Sequence, residues 1–351
     1  MPAQGVLAMT SRISNLQIAL AAALAAGVGA AVANALIARR TERRNPPKGK
    51  FIEVDDVRLH YVERGSGEPL VLLHGNGVTI DDLDSSGLID LAAAKHRVIA
   101  FDRPGFGHSS RPRTTIWTAQ AQAELIHKAL LQLGVRRFLL FGHSWGACVA
   151  VRLAADHPQA VSGLVLASGY YFPNFRADAI ALSGPAVPGL GDVLRYTISP
   201  LVGRLMWPLM LRKLFAPATV PAKFRAFPRD MALRPSQLRA SAAESMLMIP
   251  AAYGISGRYE DLKMPVAIVA GEGDRIVDID DQSGRLHDRI SGSTFKRIEG
   301  GGHMVHQTAT REVMSAIEDV ERVSRERGWG ASLTPRPSAT SDAPVRRLLP
   351  S

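Results

Sequence analysis

The chain has 351 residues, 46% apolar and 21% charged, an ordinary globular mix long enough for one large α/β domain with additions. Its single cysteine, Cys148, excludes an intramolecular disulfide, and no Cys/His cluster has zinc-ligand spacing. The net charge of +10 belongs to the two ends, with seven Lys/Arg against one Glu in 1–50 and four Arg against one Asp in 327–351; the stretch 51–326 is nearly neutral, and no nucleic-acid partner is expected.

From the N-terminus, Ile13 to Ala38 runs 26 residues without a charge and then turns basic at Arg39, Arg40, Arg43, Arg44, Lys48 and Lys50. As a helix it is long enough to cross a hydrocarbon core of about 30 Å. The favoured reading is an uncleaved membrane anchor. A cleaved signal peptide is the first alternative, since Ala33-Asn34-Ala35 resembles a cleavage site. A soluble or surface-lying Ala-rich helix is the second. The heavier basic flank follows the stretch, which places the rest of the chain in the cytoplasm. Residues 1–50 are thus an anchor and basic linker, broken at Asn45-Pro46-Pro47.

Phe51–Val54 and Arg58–Val62 alternate with period two, like paired edge strands, and Leu70–Leu73 is a continuous apolar run, like a strand covered on both faces. Further strands are expected at 97–101, 137–141, 161–167, 265–270 and 294–298, and helices at 81–94, 118–133, 146–156, 280–290 and 305–326. This alternation predicts an α/β fold, a mostly parallel sheet with helices on both faces, over 51–169 and 260–326. The alternation fails over 170–259, which is apolar, basic and Pro-rich and reads as an inserted helical cap, with an amphipathic helix over Leu201–Leu214. The Pro/Ser/Arg-rich tail 327–351 reads as disordered.

Ser144 sits in Gly142-His143-Ser144-Trp145-Gly146 between a strand-like and a helix-like run. That context makes a common pentapeptide a nucleophile elbow, with the hydroxyl presented at a helix start. A serine needs a base, and the base needs an orienting acid. Asp274, just past the strand-like 265–270, is the expected acid; Asp278, resembling a helix N-cap, and Glu272 compete for the role. His303, in the Gly-rich loop 299–304, is the expected base; His306 is the decoy, His143 cannot swing round to its neighbour, and His74 and His108 brace loops. The backbone N–H groups of Trp145 and Asn76 are the expected oxyanion donors. No metal or cofactor is expected, and Cys148 is expected to pack as a small apolar residue.

Together with Phe101-Asp102-Arg103-Pro104-Gly105-Phe106-Gly107-His108-Ser109, these motifs resemble the α/β-hydrolase superfamily over about 51–326. The resemblance implies a serine hydrolase acting on an ester-type bond of a small hydrophobic substrate, and a 101–109 loop that holds the loops around the site. His74-Gly75-Asn76 and the Ser144-Trp145 pair resemble haloalkane dehalogenases, in which that Asn and Trp hold the departing halide. Those enzymes and the epoxide hydrolases attack with Asp, whereas serine attack on an alkyl carbon would give an ether that the same site cannot hydrolyse. The chain also resembles the cofactor-free haloperoxidase/perhydrolase branch, and C–C bond hydrolysis uses the same triad. A catalytically silent binding protein is the alternative of another class. Trp207, Phe215, Tyr170 and Tyr171 are candidate substrate-wall residues.

Overall fold

The computed structural model describes residues 3–329; the tail read above as disordered lies, from residue 330 on, outside them. Eight strands form one sheet: β1 Lys50–Val54, β2 Val57–Arg64, β3 Glu68–Leu73, β4 His96–Phe101, β5 Phe138–His143, β6 Val161–Ala167, β7 Val266–Gly271 and β8 Thr294–Ile298. Their spatial order is β1-β2-β4-β3-β5-β6-β7-β8. β1–β2 and β2–β4 are antiparallel, and every later pairing is parallel. β1 alone of the first two strands is an edge; β2 lies between β1 and β4. The two-residue turn joining them, Asp55-Asp56, has φ of 46° and 62°, the mirror-image turn that matches strand twist.

β5, β6 and β7 are buried along their whole length, as continuous apolar strands require when helices cover both faces. One face packs Leu125, Ile126, Val149 and Leu153 from helices Ala119–Gln132 and Trp145–Asp156. The other packs Leu83, Ile89, Val313 and Ile317. Three expected helices are interrupted. The 81–94 stretch is Ile80–Ser85 and Leu88–Ala93, split at Gly87 with φ 80°. The 280–290 stretch begins as a π-helical turn, Asp280–Gly284, before Arg285–Arg289, and 305–326 is Val305–Thr308 followed by Thr310–Glu326.

Between β6 and β7 the chain is helical: Ala177–Leu182, Leu190–Tyr196, Ser199–Phe215, Arg229–Ala232 and Pro235–Ile255. Pro235 opens its helix at a position where the missing N–H costs nothing. Pro208 and Pro250 lie inside helices that nonetheless continue. The helix Ser199–Phe215 is not amphipathic in the expected sense, because Leu201, Leu205 and Leu209 are exposed while Trp207 is buried on the opposite side and Phe215 is buried at its end. The N-terminal helix, Ala3–Arg44, contains a span from Asn15 long and apolar enough to cross a membrane. It packs against Leu190–Tyr196 and Arg229–Ala232.

Candidate active site

β5 ends at His143, and the chain reverses sharply into the helix Trp145–Asp156 through Ser144, whose φ is 52° and ψ −118°. A serine at positive φ is strained and is held there by its surroundings. Its N–H donates to the Ala167 carbonyl at the end of β6 (2.9 Å), and its carbonyl accepts from Ala147 N (3.0 Å). The flanking glycines are sterically required: a Cβ on Gly142 would lie 2.4 Å from Gly146 O, and one on Gly146 would lie 2.4 Å from Leu73 O.

His303 follows β8. Its N–H donates to the Leu214 carbonyl (2.9 Å), so the helix Ser199–Phe215 helps hold this loop. Its Nε2 lies 2.9 Å from Ser144 Oγ and its Nδ1 lies 2.7 Å from Asp274 Oδ2. With Nδ1–H donating to the carboxylate, Nε2 presents its lone pair to the serine hydroxyl. Asp274, past the end of β7, is fixed in turn: its Oδ1 accepts from Ile276 N (2.7 Å) and Val277 N (3.1 Å). Both side chains are buried. The competing acids are committed elsewhere: Asp278 Oδ1 accepts from the N–H groups of Asp280 and Asp281, and Glu272 faces Arg297 at the surface.

Several other histidines brace the loops around the site. His143 Nε2 donates to the His303 carbonyl (3.0 Å), and burial, then the neighbouring His306 and His303, push its pKa well below the ordinary value. His306 Nε2 pairs with buried Asp82 Oδ2 (2.8 Å). His74 accepts from Arg103 N at Nε2 (3.0 Å) and donates from Nδ1 to Gly75 O (2.8 Å), and burial lowers its pKa to about 3. The His108 N–H donates to Asp102 Oδ2 (3.0 Å), while its ring meets the edge of His60. His60 and Asp102 form a buried pair of their own, at 2.7 Å. Cys148 is buried, with its thiol directed at the Tyr170 carbonyl, and burial pushes its pKa up to about 12.

Arg103 ties these loops together. Its guanidinium donates to the carbonyls of His74 and Gly75, both at 2.8 Å, to Gln122 Oε1, and to both carboxylate oxygens of Glu244. Sequence reasoning placed the 101–109 loop correctly but missed Glu244; a lone acid in Ala242-Ala243-Glu244-Ser245-Met246 was the available signal. Asn76 Nδ2 donates to Ser241 O (3.1 Å) and lies 3.3 Å from Ser245 Oγ, so its amide is engaged by the helix Pro235–Ile255. Neither the Asn76 nor the Trp145 N–H donates to a backbone carbonyl of the surrounding turns.

A cavity of about 230 Å³ opens over Ser144 and His303. Val78, Trp207, Met210, Leu214 and Met304 make its walls apolar, with Arg176 and Lys213 at its lining. Of the four expected wall residues only Trp207 lines it. Phe215 packs on Phe224, and Tyr170 and Tyr171 are consumed by the core. A larger groove of about 700 Å³, between the N-terminal helix and the Gly105–Ser110 loop, contains neither Ser144 nor His303. Among the described residues, two groups of side chains have donors close enough to hold a metal ion: Asp82, His143 and His306, and Glu124, His127 and His157. In the first, hydrogen bonds already engage Asp82, the His143 Nε2 and the His306 Nε2.

The family model for the alpha/beta hydrolase fold matches residues 68–310, and the chain belongs to that family. Among curated relatives, a haloalkane dehalogenase of Mycobacterium marinum is 28% identical over 72% of this chain and 87% of its own. A putative non-heme chloroperoxidase of Synechocystis is 24% identical over 73% and 92%. Similar solved structures include a membrane phospholipase A described as a bacterial virulence factor, with TM-score 0.62 and 23% identity, covering 90% of this chain and 99% of that one. The enol-lactonase from Burkholderia xenovorans LB400 has TM-score 0.65 and 17% identity, covering 78% and 100%. At these identities the structural likeness is one of fold.

Proposed function

We propose that the protein is a membrane-anchored serine hydrolase that cleaves an ester-type bond of a hydrophobic substrate through an acyl-enzyme. The observation that carries this reading is the file of contacts from Ser144 Oγ to His303 Nε2 to Asp274, at 2.9 and 2.7 Å, under an apolar cavity. Ser144 Oγ attacks the acyl carbon as His303 takes its proton. Asp274 holds the imidazole and stabilises its charged form. The N–H groups of Asn76 and Trp145 receive the oxyanion. His303 then protonates the leaving alcohol, and water, activated by the same ring, releases the acid.

Two features speak against dehalogenation despite the curated relatives. Serine attack on an alkyl halide would end in a stable ether. The Asn76 amide, needed for a halide cradle, is turned to Ser241 and Ser245. The relative named as a chloroperoxidase leaves a second reading, in which peroxide intercepts the same acyl-enzyme. The helices between β6 and β7 act as a cap that selects the substrate, and the N-terminal helix is the anchor.

The test is labelling by a fluorophosphonate probe, followed by a p-nitrophenyl ester chain-length series. Wild type is expected to label and to prefer an apolar acyl chain, and Ser144→Ala is expected to do neither. A folded Ser144→Ala protein that retains most of the activity overturns the assignment.

A further inference from the structure

The insertion presents an unusual surface. Leu201, Leu205 and Leu209 recur every four residues along one stripe of the helix Ser199–Phe215, and each is more than half exposed. Leu190, Val193 and Ile198 on the adjoining segment are exposed to the same degree. A soluble protein rarely leaves so much contiguous apolar area in water. The opposite side of the same helix, through Trp207, Met210 and Leu214, walls the cavity over Ser144.

The N-terminal helix fixes where this surface sits. Asn34 Nδ2 donates to the carbonyls of Tyr196 (2.8 Å) and Thr197 (3.0 Å), the turn between Leu190–Tyr196 and Ser199–Phe215. Asn34 lies within the uncharged stretch, five residues before Arg39. At 1.5 Å per residue that is about 7.5 Å to the hydrocarbon side of Arg39. A second tie, Arg234 Nη1 to Glu42 Oε1 (2.7 Å), holds the helix to the domain one level further out. If the helix spans a bilayer, the turn at Tyr196–Thr197 lies at the depth of the outer acyl chains, where a backbone carbonyl needs an internal donor, and Asn34 supplies it. The exposed leucines beside that turn then face lipid. Arg212, with Arg39, Arg40, Arg43 and Arg44, supplies positive charge for anionic headgroups.

We propose that the face formed by Leu190, Val193, Ile198, Leu201, Leu205 and Leu209 is immersed in the bilayer that holds the N-terminal helix, so that the helix Ser199–Phe215 separates lipid from the cavity over Ser144 and substrate enters from the membrane. The inference rests on the anchor reading above and deepens the substrate class to membrane-borne esters.

The full-length protein, reconstituted into vesicles of phosphatidylcholine and phosphatidylglycerol, tests it without catalysis. Leu205→Cys is labelled with the environment-sensitive fluorophore NBD; Cys148, buried and with a raised pKa, is spared. Leu131→Cys on the helix Ala119–Gln132 is the control. The Leu205 label is expected to shift to the blue and be quenched by brominated lipids, and the Leu131 label is not. A Leu205 label as water-exposed as the control overturns the proposal, as does a blue-shifted label that brominated lipid fails to quench, which would indicate a second protein copy on this face. A second arm compares Leu201→Glu/Leu205→Glu with wild type. Turnover of a long-chain ester in the same vesicles is expected to fall about tenfold or more while soluble p-nitrophenyl acetate is unaffected. An equal loss on both substrates, or no loss on either, counts against it. Lipid quenching with no ester turnover in wild type leaves this surface standing and sinks the hydrolase reading instead.

Discussion

Arg103 and Glu244 form an ion pair in which neither side chain reaches solvent, and it joins the loop that carries Asn76 to the helix Pro235–Ile255 of the insertion. A buried pair of this kind is not a large net source of stability, but breaking it on one side strands a charge. Arg103→Met leaves Glu244 with the Gln122 amide as its hydrogen-bond donor and Arg111 as a neighbouring charge, and is expected to cost about 3 kcal/mol in urea unfolding. The double variant Arg103→Met/Glu244→Met is expected to recover most of that loss. A single variant unfolding at the wild-type midpoint would show that the pair does not organise this loop.

Asp274 is anchored by two backbone N–H groups as well as by His303, so replacing it leaves a side chain with the same shape in the same turn. Asp274→Asn is expected to favour the wrong imidazole tautomer and to lower kcat by about 10⁴. Steady-state kinetics with a soluble ester, beside a thermal melt, separates this from unfolding. A loss under tenfold would point to Asp278 or to no orienting acid at all.

Much of this was legible because it is local. The strands announce themselves as apolar runs such as Leu70–Leu73, since a strand covered on both faces has no polar side to show. Ser144, Asp274 and His303 were placed by the elbow glycines and by the ends of β5, β7 and β8. What stayed hidden depends on contacts distant in sequence. Glu244 reads as a stray acid until Arg103, 141 residues away, is folded against it. His306 reads as a structural bystander, but its partner Asp82, 224 residues away, shows only in the fold. Phe215, Tyr170 and Tyr171 looked like pocket walls because an aromatic residue in an apolar segment gives no sign of which neighbour it will meet.

Two glycines on helices separate steric need from simple permissiveness. Gly146 lies where a Cβ would meet the carbonyl oxygens of Leu73 and His74 at 2.4 and 2.5 Å, both rigid backbone. Gly254, in the helix Pro235–Ile255, has nothing within 4 Å of the same position. Gly146→Ala is therefore expected to destabilise the fold and displace Ser144, lowering both the melting temperature and kcat. Gly254→Ala is expected to stabilise by about 0.5–1 kcal/mol through helix entropy alone. Paired melts decide the matter, and a neutral Gly146→Ala would mean that the elbow has more room than its geometry gives it.

The buried imidazoles set an acid limit on stability. Burial holds His74 neutral, with its pKa down to about 3, and keeps His143 well below its ordinary value of 6.5. In the unfolded chain both rings titrate near 6.5. A depressed folded-state pKa means that the unfolded chain takes up protons first, so stability is fully present above about pH 6.5 and falls as the pH drops below it. Each ring contributes a slope of up to about 1.4 kcal/mol per pH unit until its folded pKa is approached. Asp102 acts in the same direction at lower pH. Burial works to raise its pKa, but its hydrogen bond with His60, together with that from the Ile80 N–H, outweighs this and leaves it below the usual carboxylate value. Urea unfolding followed from pH 8 to pH 5 is expected to be level at first and then to lose stability with a slope of between one and two protons. A level profile down to pH 5 would show that His74 and His143 take up protons in the folded state, and that they are not the sealed braces behind Gly75 and His303 that their hydrogen bonds describe.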